Sequence, residues 1–321
     1  MVKAMKKVIN EIINNDNFVV LAHVNPDGDA IGSSIALYLY LKGIGKNVDV
    51  VIPNMPKKYC YLEGYNDILS SSDKVYDVGI ILDTATYERI NFDKLDNIKR
   101  LVVVDHHVSN TLYGDVNYIE GDAPSCGNIL YKILEGMSAN IDKGIGEALY
   151  SAIVSDTGGF RNNTVNSETF LIASKLSNIV DVSYIYRKVI GTITDSQFEL
   201  RKKAINNLEF YFDKKVAYTY ITKDELECTL ATKDECSGLV NIARDIDGVE
   251  ISIFARIIDN EVKISLRSNY VDVNLIANKF GGGGHKCAAG ITLLDVDSND
   301  IKDKLLKEVE KSIYEWINSS K

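Results

Sequence analysis

At 321 residues the chain is long enough for two packed cores. Its 45 acidic against 36 basic residues give a formal charge of −9. That balance argues against gripping long duplex DNA on a broad cationic surface, yet leaves small phosphorylated substrates open, because a bound divalent metal inverts the local field. The five cysteines form no Cys-x-x-Cys pair, which excludes a structural zinc knuckle and argues against a disulfide framework. No uncharged apolar run approaches the roughly 20 residues of a membrane span, so no membrane partner is expected and a reducing cytoplasm is the simplest setting.

In chain order, Val8, Ile9, Ile12 and Ile13 recur at helical spacing and predict an amphipathic first helix rather than a signal-peptide core. Residues 18–22 are a short apolar run, too short for a buried helix, and predict a strand that delivers His23 at its carboxyl end. After the Asn-Pro-Asp-Gly-Asp turn, 31–41 reads as a helix stopped by Gly43 and Gly45. Strands follow at 47–52, at 78–82 ending on Asp83, and at 101–104 ending on Asp105, then helices near 125–134 and 144–153, the latter running into Ser155-Asp156. Short apolar strands alternating with helices argue for a mostly parallel α/β sheet, whose site forms beyond the carboxyl ends of its strands.

From 183 to 212 the pattern turns helical and charged, with a domain boundary near Gly191. The remainder reads as a smaller α+β unit. It has a strand at 216–221, a helix at 237–246, a hairpin of 249–258 and 262–266 around Asp259-Asn260-Glu261, a short helix at 273–280, four glycines, and a closing amphipathic helix at 301–316.

All four histidines sit in polar clusters: His23 in His-Val-Asn-Pro-Asp-Gly-Asp, His106 and His107 in Asp-His-His, and His285 after Gly281, Gly282, Gly283 and Gly284. His23, Asp27 and Asp29 fall on one tight turn that can aim several side chains at one point. Asp83, Asp105, His106, His107 and Asp156 add donors from other strand and helix ends. This is too many acids for one ion, and mixed imidazole and carboxylate ligation suits Mn, Fe or Zn better than Ca or Mg. Two ions with a bridging carboxylate relieve the repulsion. Arg267, at a strand end, offers bidentate geometry for a terminal phosphate, Lys286 a flexible contact, and the glycines a close approach of backbone amides.

The segment His23-Val-Asn-Pro-Asp-Gly-Asp-Ala-Ile-Gly-Ser33 resembles the first motif of the DHH phosphoesterase superfamily. Asp83 fits the second, Asp105-His106-His107 the third, and Ser155-Asp156 the fourth. The carboxyl part resembles the DHHA1 domain, with Arg267-Ser268 and Gly281-Gly-Gly-Gly-His285-Lys-Cys-Ala-Ala-Gly290 matching its substrate-binding segments. The resemblance spans nearly the whole chain and is nearest to the NrnA-like oligoribonuclease and 3',5'-bisphosphate nucleotide (pAp) phosphatase subgroup.

It implies a DHH catalytic domain at 1–190, a helical connector at 191–212 and a DHHA1 substrate domain at 213–321, with the active site in the cleft between them. It further implies two Mn2+ ions, one held by His23, Asp27 and Asp83, the other by Asp29, Asp83, His106 and Asp156. Asp83 then serves both ions and catalysis. His107 acts on the scissile phosphate, Asp105 orients His106 from behind, and Arg267, Ser268, the glycines, His285 and Lys286 bind substrate.

The expected activity is two-metal hydrolysis of short single-stranded RNA to mononucleotides, with 3'-phosphate removal from pAp, in a protein that can form a homodimer. The alternatives are a cyclic- or linear-dinucleotide phosphodiesterase, a manganese inorganic pyrophosphatase, and a non-catalytic nucleotide-binding protein.

Overall fold

The computed structural model describes residues 2–319 and divides into two compact units, 1–192 and 193–321. The first opens with helix α1 (Val2–Asn14), whose Val8 and Ile12 are buried while Ile13 faces solvent, as an amphipathic helix on a sheet should be. Then come β1 (Asn17–Leu21), α2 (Gly28–Gly43), β2 (Asn47–Val51), β3 (Val78–Leu82), β4 (Leu101–Asp105) and β5 (Val116–Ile119). Helices α3 (Cys126–Gly136), α4 (Lys143–Asp156), α5 (Ser167–Leu176) and α6 (Val182–Tyr186) follow, closed by a π-helical turn at Arg187–Gly191.

The five strands are all parallel in the order β2-β1-β3-β4-β5. Every residue of β3 is buried, because both faces of the sheet are covered and an apolar run without alternation is what such a strand needs. One face packs Phe18, Val20, Ile80, Leu82 and Val104 against the helices. The other packs Val19, Leu21, Ile81 and Val103 under Tyr76, Ile90, Phe92 and Ile98 from the irregular segments between strands. The chain reverses its winding between β1 and β3, and in open α/β sheets the carboxyl ends beside such a reversal form the ligand crevice. His23 follows β1 and Asp83 follows β3, so both stand at that point.

The second unit contains α7 (Asp195–Asn206), β6 (Glu209–Tyr211), β7 (Val216–Thr222), α8 (Lys223–Cys228), α9 (Leu239–Arg244), β8 (Ile251–Ile258), β9 (Glu261–Ser268), α10 (Val273–Asn278), β10 (Gly283–His285), β11 (Ala288–Leu294) and α11 (Ser298–Ser319). Its mixed sheet runs β10-β11-β9-β8-β7-β6, with only β7–β8 parallel. Alternate residues separate two cores. Ile251, Ile253, Ile264 and Leu266 meet α10 and α11, while Phe254 and Ile258 meet Leu200, Leu226 and Leu239.

The α/β plus smaller α+β organisation expected from the sequence is the one found. Within 191–212, α7 buries Leu200 and Ala204 in the second unit's core, and 209–211 is an edge strand. Among the described residues no helix is long and apolar enough to cross a membrane, and all five cysteines are free.

Candidate metal centre

Asp27 caps the amino end of α2, its Oδ1 accepting from the amides of Asp29 and Ala30. Asp29, in the first turn, is fully buried and accepts from the first two amides of α3, Cys126 N at 2.6 Å and Gly127 N at 2.9 Å. Helix packing brings these ends together. A Cβ on Gly28 would lie 2.4 Å from Ser155 Oγ, and one on Gly32 would lie 2.5 Å from the Ala148 carbonyl oxygen, so α2 and α4 touch as only glycine allows. Asp156 is the last residue of α4, where the helix dipole is negative and a carboxylate gains from a nearby cation. Asp83 leaves β3 in the left-handed region at φ 54°, a conformation that aims its carboxylate across the strand ends.

These residues converge. His106 Nε2 lies 3.3 Å from Asp83 Oδ1, 3.4 Å from Asp156 Oδ2 and 3.8 Å from Asp29 Oδ2, and His23 Nε2 is 3.7 Å from Asp83 Oδ2. Three trios have donor atoms within 4.8 Å of one another: His23–Asp27–Asp83, Asp29–His106–Asp156 and Asp83–His106–His107. Both imidazoles are turned the same way. His23 Nδ1 lies 2.8 Å from the Val24 carbonyl and His106 Nδ1 lies 3.1 Å from the Ala123 carbonyl. A carbonyl only accepts, so each Nδ1 carries the proton and each Nε2 faces the acids, the orientation of a metal-ligating histidine.

The electrostatics fit a cation. Asp83 Oδ1 is buried without a hydrogen bond. Burial, then Asp83 and Asp156, push Asp29 well above the carboxylate range even though two amides solvate it. Burial also lifts Asp156, to about 6, with His106 opposing. Burial disfavours a charged His106, but Asp83, Asp29 and Asp156 outweigh it and hold the imidazole at about 10. For Asp83 burial likewise loses, to His106 and His23, and its carboxyl is held down. Four carboxyl groups crowded around two imidazoles are a donor set that divalent ions would fit.

Asp105 departs from expectation. It orients His107, not His106: its Oδ1 is 2.7 Å from His107 Nδ1 and takes only the backbone N–H of His106. The reason is geometric, since the His106 ring turns toward Ala123 and leaves Asp105 facing its neighbour. That hydrogen bond outweighs burial and raises the His107 pKa. The sequence reading missed Asn110, whose Nδ2 donates to Asp105 Oδ2 at 2.7 Å and to the Thr84 carbonyl at 3.2 Å, tying the β4 end to the residue after Asp83. An amide three residues past the histidine pair was the available signal.

In the second unit Arg267 and His285 both pair with Ala288 on β11, so the three share one cross-strand row and one face of the sheet. Burial and Arg244 lower the Arg267 pKa, and among the described residues no carboxylate pairs with it. His285 and Lys286 are exposed. Ser268 is buried, and its hydroxyl donates to the Val271 carbonyl, closing a turn. Gly281 N and Gly282 N donate to the Asn278 and Ala277 carbonyls, ending α10, and Gly283 and Gly284 belong to edge strand β10.

The family description "DHH family, N-terminal domain" matches residues 17–153, and "DHHA1 domain" matches 213–315. The chain belongs to the DHH/DHHA1 phosphoesterase family. It is similar to the probable bifunctional oligoribonuclease and PAP phosphatase NrnA of Streptococcus mutans, 28% identical over 96% of this chain and 99% of that protein. It is similar also to the bifunctional oligoribonuclease and PAP phosphatase NrnA of Bacillus subtilis, 25% identical over 95% and 97%. The crystal structure of an exopolyphosphatase-related protein from Bacteroides fragilis matches with a TM-score of 0.85 at 29% identity, covering 98% of this chain and 97% of that one. Membership of that family, with a candidate donor set in the first unit, makes the protein a metal-dependent phosphoesterase.

Proposed function

We propose that the protein hydrolyses phosphodiester bonds in short oligoribonucleotides, releasing mononucleotides, and removes the 3'-phosphate of pAp. The observation that carries the reading is the set of three donor trios linked through Asp83 and His106, in a chain similar along almost its full length to proteins named for those two activities.

His23, Asp27 and Asp83 would hold one divalent ion, and Asp29, Asp83, His106 and Asp156 the other, with Mn2+ the favoured metal for mixed nitrogen and oxygen donors. Such a pair supplies an activated water and neutralises charge that builds on phosphoryl oxygens. The side chains supply the rest. Val24 and Ala123 fix the two ligand imidazoles. Asp105 occupies His107 Nδ1 and favours its cation, leaving Nε2 to donate a proton to the phosphoryl or leaving oxygen. Arg267 and His285, in one row, would bind a terminal phosphate, with Lys286 beside them on the hairpin.

The test is a substrate panel under a single Mn2+ condition: end-labelled oligoribonucleotides of a few residues, pAp, inorganic pyrophosphate and cyclic dinucleotides. The expected result is stepwise shortening of the RNA and release of phosphate from pAp, with pyrophosphate untouched. Turnover of pyrophosphate or cyclic dinucleotides with the RNA intact would overturn the reading.

A further inference from the structure

We infer that Arg89 is a substrate contact of the catalytic unit, binding the phosphoryl group next to the one being cut. The inference deepens the phosphodiesterase reading and rests on it.

Arg89 belongs to none of the recognised motifs, yet the backbone fixes it beside the first. Val24 N donates to the Arg89 carbonyl at 2.8 Å, Asn91 N donates to the Ala22 carbonyl at 3.1 Å, and His23 and Ile90 form an antiparallel bridge. Ile90 is buried by this pairing, and Arg89 is left exposed on the rim. Its Nη2 stands 3.5 Å from His23 Nδ1. That nitrogen already directs its proton to Val24, so the guanidinium faces a donor and gains no hydrogen bond from it. Among the described residues no carboxylate forms an ion pair with Arg89, although Asp27 and Asp83 lie on the far side of the same imidazole. A five-donor fork is thus held one imidazole width from the ligand cluster without an acceptor.

The charge balance gives the fork a purpose. Asp27, Asp29, Asp83 and Asp156 would cancel the charge of two divalent ions, and Asp105 offsets His107. The centre so composed offers no net positive charge to an anionic chain, and Arg89 is a cation at its edge. Its place on the Nδ1 side of His23, away from the Nε2 that faces Asp83, suits a phosphoryl group beside the reacting one. Planar bidentate recognition of phosphate is the chemistry a guanidinium performs best.

Hydrolysis of bis(p-nitrophenyl) phosphate, which has a single phosphoryl group, provides the readout, with AMP and pAp as competitors carrying one and two. Arg89→Ala should raise the inhibition constant of pAp about tenfold or more, with AMP inhibition and the basal hydrolysis changed less than about twofold, and Arg89→Lys should fall between. Equal shifts for AMP and pAp, no shift for either, or loss of basal hydrolysis would overturn the inference. Because the readout uses no RNA, failure of the wild type to cleave RNA would count against the proposed function and leave this comparison intact.

Discussion

Gly32→Ala tests how the fold sets the metal centre. The added Cβ would lie 2.5 Å from the Ala148 carbonyl oxygen, 2.8 Å from Ala152 N and 2.9 Å from Ala152 Cβ. Two of these are backbone atoms of α4, so no rotamer relieves the clash and the helices must part. Overpacking of this kind costs about 1–3 kcal/mol, and here the upper end applies because backbone is struck. Alanine returns up to about 1 kcal/mol of helix propensity, leaving about 1–2 kcal/mol of net destabilisation. For a unit of this size that lowers the melting temperature by about 2–8 °C.

The same separation widens the Asp29–His106–Asp156 trio, since Asp29 starts α2 and Asp156 ends α4, so metal affinity should fall by about tenfold or more. Melting curves of metal-free and Mn2+-loaded protein, with calorimetric titration of the metal, read both effects. Gly43→Ala is the control, because its Cβ would meet nothing within 4 Å. A Gly32→Ala protein that melts like the wild type and binds Mn2+ as tightly would refute the packing argument.

Two further outcomes follow from the hydrogen-bond network. His106 is held at about 10 in the metal-free protein and Asp156 at about 6. The stability His106 contributes is complete below its ordinary value near 6.5 and is lost as pH rises through about 10, while the raised Asp156 adds its own penalty once ionised. Metal-free protein should therefore melt at falling temperature across that window, and Mn2+ binding should tighten with pH and release protons, measurable by calorimetry in buffers of different ionisation enthalpy. A flat melting profile with no proton release would contradict the assignment.

Asn110→Ala should lower kcat by about 10–100-fold with little change in melting. Asn110→Asp should be worse, because it keeps the acceptor for the Leu112 amide but sets a second carboxylate against Asp105. An aspartate variant better than the alanine one would reduce Asn110 to a loop anchor.

The central strands were legible because both sheet faces are covered, so 78–82 and 101–104 read as plain apolar runs. Their carboxyl ends then located Asp83 and Asp105 without further information. β5 was not legible: Val116, Asn117, Tyr118 and Ile119 form a short, mixed edge strand. The 209–211 strand was hidden for a similar reason, lying directly behind the charged helix α7. The clustering of histidines and aspartates was legible from residue types and strand ends, but the partner of Asp105 was not, because the Ala123 carbonyl, seventeen residues away in sequence, draws the His106 ring. The glycine run was ambiguous in the same sense. Stopping a helix, lining an edge strand and approaching a phosphate all favour residues without a Cβ, and the structure assigns the first two amides to the helix.

On the proposed function Asp83 serves two metal ions in one centre. Equilibrium dialysis against Mn2+ with metal analysis, on wild type and Asp83→Asn, tests it directly. The account expects two ions per wild-type chain. In the variant it expects both tight sites lost and hydrolysis of bis(p-nitrophenyl) phosphate reduced by about a thousandfold or more. An Asp83→Asn protein that retains two ions at wild-type affinity, or a wild type that binds only one, would contradict it.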